Sequence, residues 1–328
     1  MIGNIKIIFF GTPRFGAIIL EILAKSKFKP VAVVTEPDKP AGRKRILTPP
    51  AVKSLIMEHG TWNIPILQPE KLDSGFRFQV SSFKPDLMIV AAYGKILPKE
   101  ILGIPRHGSL NIHPSLLPKY RGASPIQATI LNGDTEGGVT IILMDEKIDH
   151  GSIIANLRFK ILDLRITYKE LSEEIAKLGG KLLIETLPRW LAGKIKPIPQ
   201  DDSKATYCWR IKKEGGKINW QNSAEEIERM TRAFWPWPSA WTILTSKHFN
   251  ILTKKQLKIV KARPVTGYKL QVTSYKPGQV FLTKNKELAV ACGKNALILE
   301  ELQLEGKKIM TAQEFLNGHP EIVGAILE

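Results

Sequence analysis

Cysteine is close to absent from this 328-residue chain, which carries only Cys208 and Cys292. That excludes a disulfide framework and a cysteine-rich metal knuckle, and it fits a reducing compartment. No apolar run approaches the roughly 18 residues that a membrane helix needs. A strand-like run covers residues 5–11, so early that no signal or transit peptide is expected ahead of it. Acidic residues are scarce as well, with 31 Asp and Glu against 48 Lys and Arg and a formal charge of +17. Internal repeats and low-complexity tracts are missing. The first turn, Gly11-Thr-Pro-Arg-Phe-Gly16, lacks the glycine spacing of a Rossmann fingerprint, which argues against a nicotinamide cofactor. These absences lead us to expect a soluble, cytoplasmic protein without membrane attachment and without a metal site.

What is present is positive charge, unevenly placed. Between Lys204 and Lys294 there are 18 basic residues and five acidic ones, and the stretch after Ala296 turns acidic. A basic module of this kind suits a polyanion with a phosphate backbone; the alternative is a generally basic surface. At 43% apolar residues a chain of this length buries a full core, and two domains are expected.

The first half alternates short apolar runs with helix-like stretches. Strands are expected near residues 5–10, 31–35, 86–92, 109–112 and 139–144, and helices over 15–24 and 124–131. That order predicts an α/β domain, a Rossmann-like and mostly parallel sheet with helices on both faces. An amphipathic helix is expected over 167–187, with Thr167 and Glu170 as a capping box and Pro188 ending or kinking it. Lys194–Asp202 is proline-bearing and polar and reads as a linker. Beyond it, Ser223 and Glu226 form a second capping-box signature. Five short strand-like runs follow, at 240–244, 256–262, 278–282, 287–291 and 296–304. They suggest a smaller C-terminal β-barrel or a sandwich. The boundaries expected are 1–189 for the first domain, 190–206 for the linker and 207–328 for the basic module.

The most informative stretch runs from Ser109 to Gly151. It holds Asn111, His113 and, 36 positions on, Asp149 just past a second apolar strand. An amide, an imidazole and a carboxylate delivered by neighbouring strands can polarise a carbonyl, move a proton and orient the group that moves it. Taken singly each has an ordinary alternative: a solvent-facing histidine, an asparagine satisfying a turn, a polar turn at 149–151.

Set in order, the motifs resemble the folate-dependent formyltransferases over nearly the whole chain. They are Asn111-Ile-His-Pro-Ser-Leu-Leu-Pro118, Arg121-Gly-x-x-Pro-Ile126, Gly138-Val-Thr140 and Asp149-x-Gly151. Phe10-Gly-Thr-Pro-Arg-Phe15, Glu36-Pro-Asp-Lys-Pro-Ala-Gly-Arg-Lys-Arg45, Ala92-Tyr-Gly-Lys-Ile-Leu-Pro98 and Phe234-Trp-Pro-Trp-Pro-Ser239 complete the set. Within that family the likeness is to members that formylate the methionine carried by initiator tRNA. Two positions depart from the family pattern: Gly137, where the family usually has Thr, and His150, between Asp149 and Gly151.

The resemblance implies an OB-like barrel for the C-terminal module and 10-formyltetrahydrofolate as co-substrate, with initiator Met-tRNA as partner. It gives Asn111 the oxyanion, His113 the proton and Asp149 the orientation of the imidazole. It places the folate against Tyr93, Gly94, Ser115, Leu116, Leu117, Pro118, Arg121 and Gly122, largely through backbone groups. Tyr93 is equally suited to the core. The loop at Arg43, Lys44 and Arg45 is implied to meet the acceptor stem. Lys204, Arg210, Lys212, Lys213 and Lys217 are further candidates for phosphate contact, with Lys254, Lys255, Lys258, Lys261 and Arg263 as possible additions. The Trp-Pro repeat after Phe234 is expected to be a packing hub, and a monomer is expected. A formyltransferase acting on a nucleotide-sugar amine would share the Asn–His–Asp set without needing the basic module. An RNA-binding protein with a dead transferase domain would not need the set.

Overall fold

A computed structural model describes residues 5–42, 45–248, 251–265 and 275–328. The chain divides into two compact units. The first comprises residues 1–125, 135–161 and 170–209, and the second 126–134, 162–169 and 210–328. Through residue 209 the elements are β1 (Ile7–Gly11), α1 (Arg14–Ala24), β2 (Ala32–Val34), β3 (Lys39–Ala41), β4 (Ile46–Thr48) and α2 (Ala51–Glu58). There follow β5 (Ile66–Leu67), α3 (Ser74–Ser82), β6 (Leu87–Ala91), α4 (Lys99–Leu102), β7 (Ser109–His113), β8 (Arg121–Gly122) and α5 (Pro125–Leu131). The last four are β9 (Glu136–Leu143), β10 (Ser152–Lys160), α6 (Tyr168–Leu191) and β11 (Tyr207–Cys208).

In the first unit, β1 and β6 are buried along their whole length, as their unbroken apolar text requires of strands covered on both faces. Alternate side chains divide between the faces. Ile8, Phe10, Met88 and Val90 join Phe76 and Val80 of α3 and Ile101 of α4 in one core cluster. The sheet order is β10-β9-β7-β6-β1-β2-β5. Strands β5, β2, β1, β6 and β7 are parallel, while β9 and β10 add antiparallel pairs. The sheet is thus mostly parallel, as the strand–helix alternation implied. Strand β10 is not foreseen, because its alternating text, with exposed Asn156, Arg158 and Lys160, carries only a weak apolar signal. Phe159 pairs with Gly137 across β9 and β10, and its ring occupies the space a side chain at 137 would need.

Helix α6 lies directly on this sheet. A Cβ on Gly179 would come 2.9 Å from Ile112 Cγ2, and one on Gly180 would come 2.5 Å from Ile22 Cδ1 of α1. The Gly–Gly pair therefore permits close approach and does not interrupt the helix. Pro188, expected to end or kink the helix, lies inside it, and the helix continues three residues beyond to Leu191. Leu187 is fully buried, and the Trp190 indole N–H donates to the His107 carbonyl at 3.0 Å. Tertiary contacts anchor the last turn, which proline alone disfavours.

The second unit contains α7 (Ala224–Phe234), β12 (Ala240–His248), β13 (Ile251–Val265), β14 (Val280–Leu282), β15 (Leu288–Ala291), β16 (Ala296–Leu304), β17 (Met310–Thr311) and α8 (Ala312–Gly318). Helix α7 opens with the capping box expected at Ser223 and Glu226, and hydrogen bonding holds the Glu226 carboxyl below its ordinary range. Arg229 and Arg232 of α7 donate to the carbonyls of Leu131 and Ile166, tying residues 126–134 and 162–169 to this unit.

The strands form a curled antiparallel sheet in the order β12-β13-β16-β15-β14, with β17 on β16. Residues 324–328 lie along both edges. Leu327 N–H donates to Gly278 O and Gly324 N–H to Val280 O, while Glu328 and Ile243 exchange backbone hydrogen bonds. That segment closes the seam, so the sheet reads as a small barrel. Trp220, Ile227, Leu257, Val290, Leu297 and Phe315 fill the core, each large apolar side chain contributing about 1.5–3 kcal/mol by burial. At the expected packing hub, Phe234 is buried and Trp235 half-buried, but Trp237 is 60% exposed. Both cysteines are buried and unbridged; burial pushes the Cys292 thiol up to about 12.

Candidate active site

In an open parallel sheet, ligands meet the carboxyl ends of the strands where the strand order reverses. Here β1 lies between β2 and β6, and the carboxyl ends of β1, β6 and β7 carry Gly11–Thr12, Ala91–Gly94 and Asn111–His113. Thr12 Oγ1 donates to the Tyr93 carbonyl at 2.7 Å, joining the first two. Ala92, Tyr120 and Asp149, all around this edge, have φ of +52°, +62° and +48°. Left-handed backbone at residues other than glycine costs about 1–3 kcal/mol each and persists where surrounding contacts impose it.

Asn111 and His113 share one face of β7, two residues apart. The Asn111 Nδ2 donates to Asp149 Oδ1 at 3.1 Å, and the Gly122 N–H donates to Asp149 Oδ2 at 2.9 Å. His113 Nδ1 lies 3.5 Å from Asp149 Oδ1. Its Nε2 lies 2.9 Å from the Tyr120 carbonyl oxygen. A carbonyl only accepts, so Nε2 carries the proton, and in a neutral ring the lone pair is on Nδ1, on the Asp149 side. His113 is buried, while Asn111 and Asp149 are partly exposed. The three residues singled out in the sequence are therefore brought into one network around one carboxylate.

The segment 114–122 is a tightly self-bonded loop with a cis Leu117–Pro118 bond. The Ser115 hydroxyl donates to Lys119 O, and Thr140 Oγ1 donates to Ser115 O and accepts from Leu117 N–H. Leu116 packs against Gly138, and Leu117 is buried. The side chains of Ser115, Leu116 and Leu117 are thus engaged in the loop itself, leaving half-buried Pro118 and the exposed Gly94 backbone as its surface. Tyr93 is 2% exposed and packs edge-on against Phe10; its hydroxyl has no protein partner. Burial, reinforced by Glu36, raises its phenol well above the usual value.

Arg121 is 1% exposed, and its guanidinium donates to Gln200 Oε1 at 2.9 and 3.0 Å, to Asp202 Oδ1 at 2.7 Å and to the Tyr207 hydroxyl at 3.3 Å. The Arg121 guanidinium holds the Asp202 carboxyl below its ordinary range. Gln200 Nε2 in turn donates to the carbonyls of Asp149 and Gly151, both at 2.8 Å. Strand β11 pairs parallel with β8, Tyr207 opposite Arg121 and Cys208 opposite Gly122. Gly122 has φ +113°, and a Cβ there would come 2.3 Å from Cys208 O, so only glycine fits. The end of the expected linker, 198–206, is thus bonded along the first unit, because these contacts satisfy backbone groups that a free linker leaves to water. Thr206 accepts from the Tyr120 N–H through Oγ1 and from the Arg121 N–H through its carbonyl, both at 2.8 Å. Gln200, Asp202, Thr206 and Tyr207 support the site and carry no sequence signal that would have singled them out.

Arg43 and Lys44 lie outside the described residues. Arg45 sits exposed at the turn of the β3–β4 hairpin, beside Ile46 and Leu47, which are 62% and 64% exposed. The base of the hairpin is clamped by Asp38, which accepts from Lys53 Nζ at 2.8 Å and from Gln68 Nε2 at 2.8 Å. Lys204, Arg210, Lys212, Lys213 and Lys217 are all exposed; Lys204 pairs with Asp201. On β13, Lys254, Lys261 and Arg263 are engaged by Glu328, Glu300 and Glu287. Among the described residues no cluster of His, Cys, Asp and Glu can hold a metal ion, and no helix is long and apolar enough to cross a membrane.

A Rossmann-like unit with an amide–imidazole–carboxylate network at its strand ends, joined to a curled barrel, has clear relatives. Residues 4–187 match the formyl transferase family model and residues 210–320 match the formyl transferase C-terminal domain. The chain belongs to the formyl transferase family. It is 41% identical over 324 residues to the methionyl-tRNA formyltransferase of Bacillus velezensis, covering 98% of this chain and 97% of that one. It is 40% identical to that of Bacillus subtilis with the same coverage. Among solved structures, methionyl-tRNA formyltransferase from Clostridium thermocellum shares the fold at a TM-score of 0.53 and 20% identity, over 80% of this chain and 95% of that one. HypX from Aquifex aeolicus, in complex with tetrahydrofolic acid, does so at 0.61 and 17%, over 98% of this chain and 48% of that one.

Proposed function

We propose that the chain moves the formyl group of 10-formyltetrahydrofolate to the α-amino group of methionine on initiator tRNA. The observation that carries this reading is the Asp149 carboxylate held between Asn111, Gly122 and His113 at the carboxyl edge of the sheet. Near-complete coverage of relatives named for methionyl-tRNA, basic module included, supports the choice of acceptor.

The folate lies along the backbone of 92–94 and the loop 114–122, with its formyl carbon in front of Asn111. The amine attacks that carbon, and the carbonyl oxygen becomes an oxyanion. One N–H of the Asn111 amide is bonded to Asp149, leaving the other for the oxyanion. Removing a donor of this kind costs about 10²–10³ in rate. His113 Nδ1, 3.5 Å from Asp149 Oδ1, accepts the proton that the amine loses, and the Asp149 carboxylate stabilises the imidazolium that forms. The tetrahedral intermediate collapses by breaking the bond to the folate N10, which takes up a proton. The chemistry rests on orientation, proton transfer and oxyanion stabilisation, each supplied by groups of this chain.

The direct test is formyl transfer from labelled 10-formyltetrahydrofolate to initiator Met-tRNA, with elongator Met-tRNA and free methionine as controls. Transfer confined to the initiator species is expected. Transfer to a nucleotide-sugar amine but to no tRNA would overturn the reading.

A further inference from the structure

Beside the candidate site stand two aromatic rings that the mechanism leaves unused. Tyr207 is 55% exposed and Trp209 is 77% exposed, and their rings are nearly parallel, 6.1 Å apart at an interplanar angle of 15°. They are two residues apart, and the intervening Cys208 is buried, so the two rings stand on the outer side of the chain. Scattered exposed apolar side chains need no explanation, but an aligned aromatic pair at the end of β11, next to a reactive centre, calls for one.

Tyr207, on which Trp209 stacks, is held in place. The Tyr207 hydroxyl is engaged by Arg121 Nη1 at 3.3 Å, and Arg121 is itself locked by Gln200 and Asp202. Cys208 faces Gly122 in register, and the Gly122 N–H binds Asp149 Oδ2. With strands about 4.8 Å apart and about 3.3 Å of rise per residue, the rings lie roughly 10–15 Å from that carboxylate. An amino acid esterified to a ribose spans a comparable length, and the next group along such a substrate is a nucleobase.

Arg121 lies over the Tyr207 ring, 6.0 Å from its centroid, and Trp209 stacks beside it. We therefore propose that Trp209, backed by Tyr207, forms a stacking platform for the base at the single-stranded 3′ end of the aminoacyl-tRNA, fixing how far the α-amino group reaches toward Asn111 and Asp149. This rests on the function proposed above. Every base offers a π face, so stacking grips the 3′ end without reading its sequence. A rigid platform also spares part of the ordering cost that a flexible end would otherwise bring to binding. Of the exposed charges nearby, Lys204 is paired with Asp201 and Asp202 is engaged by Arg121, while Arg210 follows Trp209 directly and is exposed. Stacking on the ring and a phosphate contact from Arg210 are compatible, and the variants below read the ring alone.

The test uses the full chain, Trp209→Ala and Trp209→Phe. Exposed as it is, Trp209 can be truncated without opening a core. Trp209→Ala should raise the KM for Met-tRNA about tenfold, and Trp209→Phe should keep it within about threefold of wild type. Wild-type protein should bind uncharged initiator tRNA about tenfold more tightly than the same tRNA lacking its terminal adenosine, and Trp209→Ala should bind the two alike. A Trp209→Ala protein with wild-type KM overturns the platform while leaving the formyl-transfer reading intact. So does one whose loss falls on the KM for 10-formyltetrahydrofolate, since the rings would then line the folate. Wild-type protein that formylates no tRNA overturns the functional reading, and the platform with it.

Discussion

Asp149→Asn keeps the shape of the central side chain and removes its charge, so it separates chemistry from architecture. Asp149 accepts from Asn111 Nδ2 at 3.1 Å and from Gly122 N–H at 2.9 Å, and it faces His113 Nδ1 at 3.5 Å. An amide offers one acceptor oxygen where the carboxylate offers two. If the new amide keeps the Gly122 bond, its NH₂ group meets Asn111, which turns its own oxygen inward and withdraws its donor from the oxyanion. Replacing charge-assisted hydrogen bonds of about 1.5–3 kcal/mol by neutral ones of about 0.5–1.5 kcal/mol costs about 1–3 kcal/mol of stability. That is well inside the roughly 5–15 kcal/mol that holds a typical protein folded. The rate suffers more. Loss of proton transfer alone is worth about 10²–10⁴, or about 3–5.5 kcal/mol of transition-state stabilisation. We expect single-turnover formyl transfer at saturating folate and Met-tRNA to fall by at least about 100-fold, with a cooperative urea transition retained. A variant within about tenfold of wild type would remove Asp149 from the chemistry and leave it as a tie between two loops.

Tyr93→Phe deletes a buried hydroxyl with no protein partner, so thermal stability should hold or rise, by up to about 1–3 kcal/mol; a clear fall would mean that the hydroxyl is satisfied within the fold. The depressed Glu226 carboxyl implies a signed pH dependence. Its stabilisation is complete above the ordinary value of 4.5 and is lost as pH falls through its lower folded value. The cost of Glu226→Gln in urea unfolding should therefore be full well above 4.5 and shrink toward zero as pH falls below it, and a cost independent of pH would refute the assignment. Neutralising Lys212 and Lys213 should weaken tRNA binding and flatten the slope of log K against log salt by about 0.7–0.9 for each phosphate no longer neutralised. An unchanged slope would exclude both from the phosphate backbone.

What is legible in the sequence follows from how each feature is encoded. The buried parallel strands announce themselves because burial on both faces forces unbroken apolar text, as in Leu87–Ala91. The Ser223–Glu226 cap is legible because its partners are three residues apart. Asn111, His113 and Asp149 stand out by their chemistry and their order along the chain. The exact helix end is less legible, since the local preference at Pro188 is offset for three more residues by Trp190 and buried Leu187, which no window around the proline reveals. The side-chain partners of Arg121 are not legible at all. Its partners Gln200 and Asp202 lie about 80 residues away in a stretch whose prolines read as linker, and long-range polar pairing leaves no periodic trace. The consequence is mechanical. The Asp149 carboxylate is positioned by Gly122, whose strand is held by β11, while Gln200 bonds both the Asp149 carbonyl and the Arg121 guanidinium. A site that looks from its text like one strand and one loop is a closed ring of three distant segments. Loosening residues 198–208 should therefore disturb the reacting centre although none of those residues takes part in the transfer.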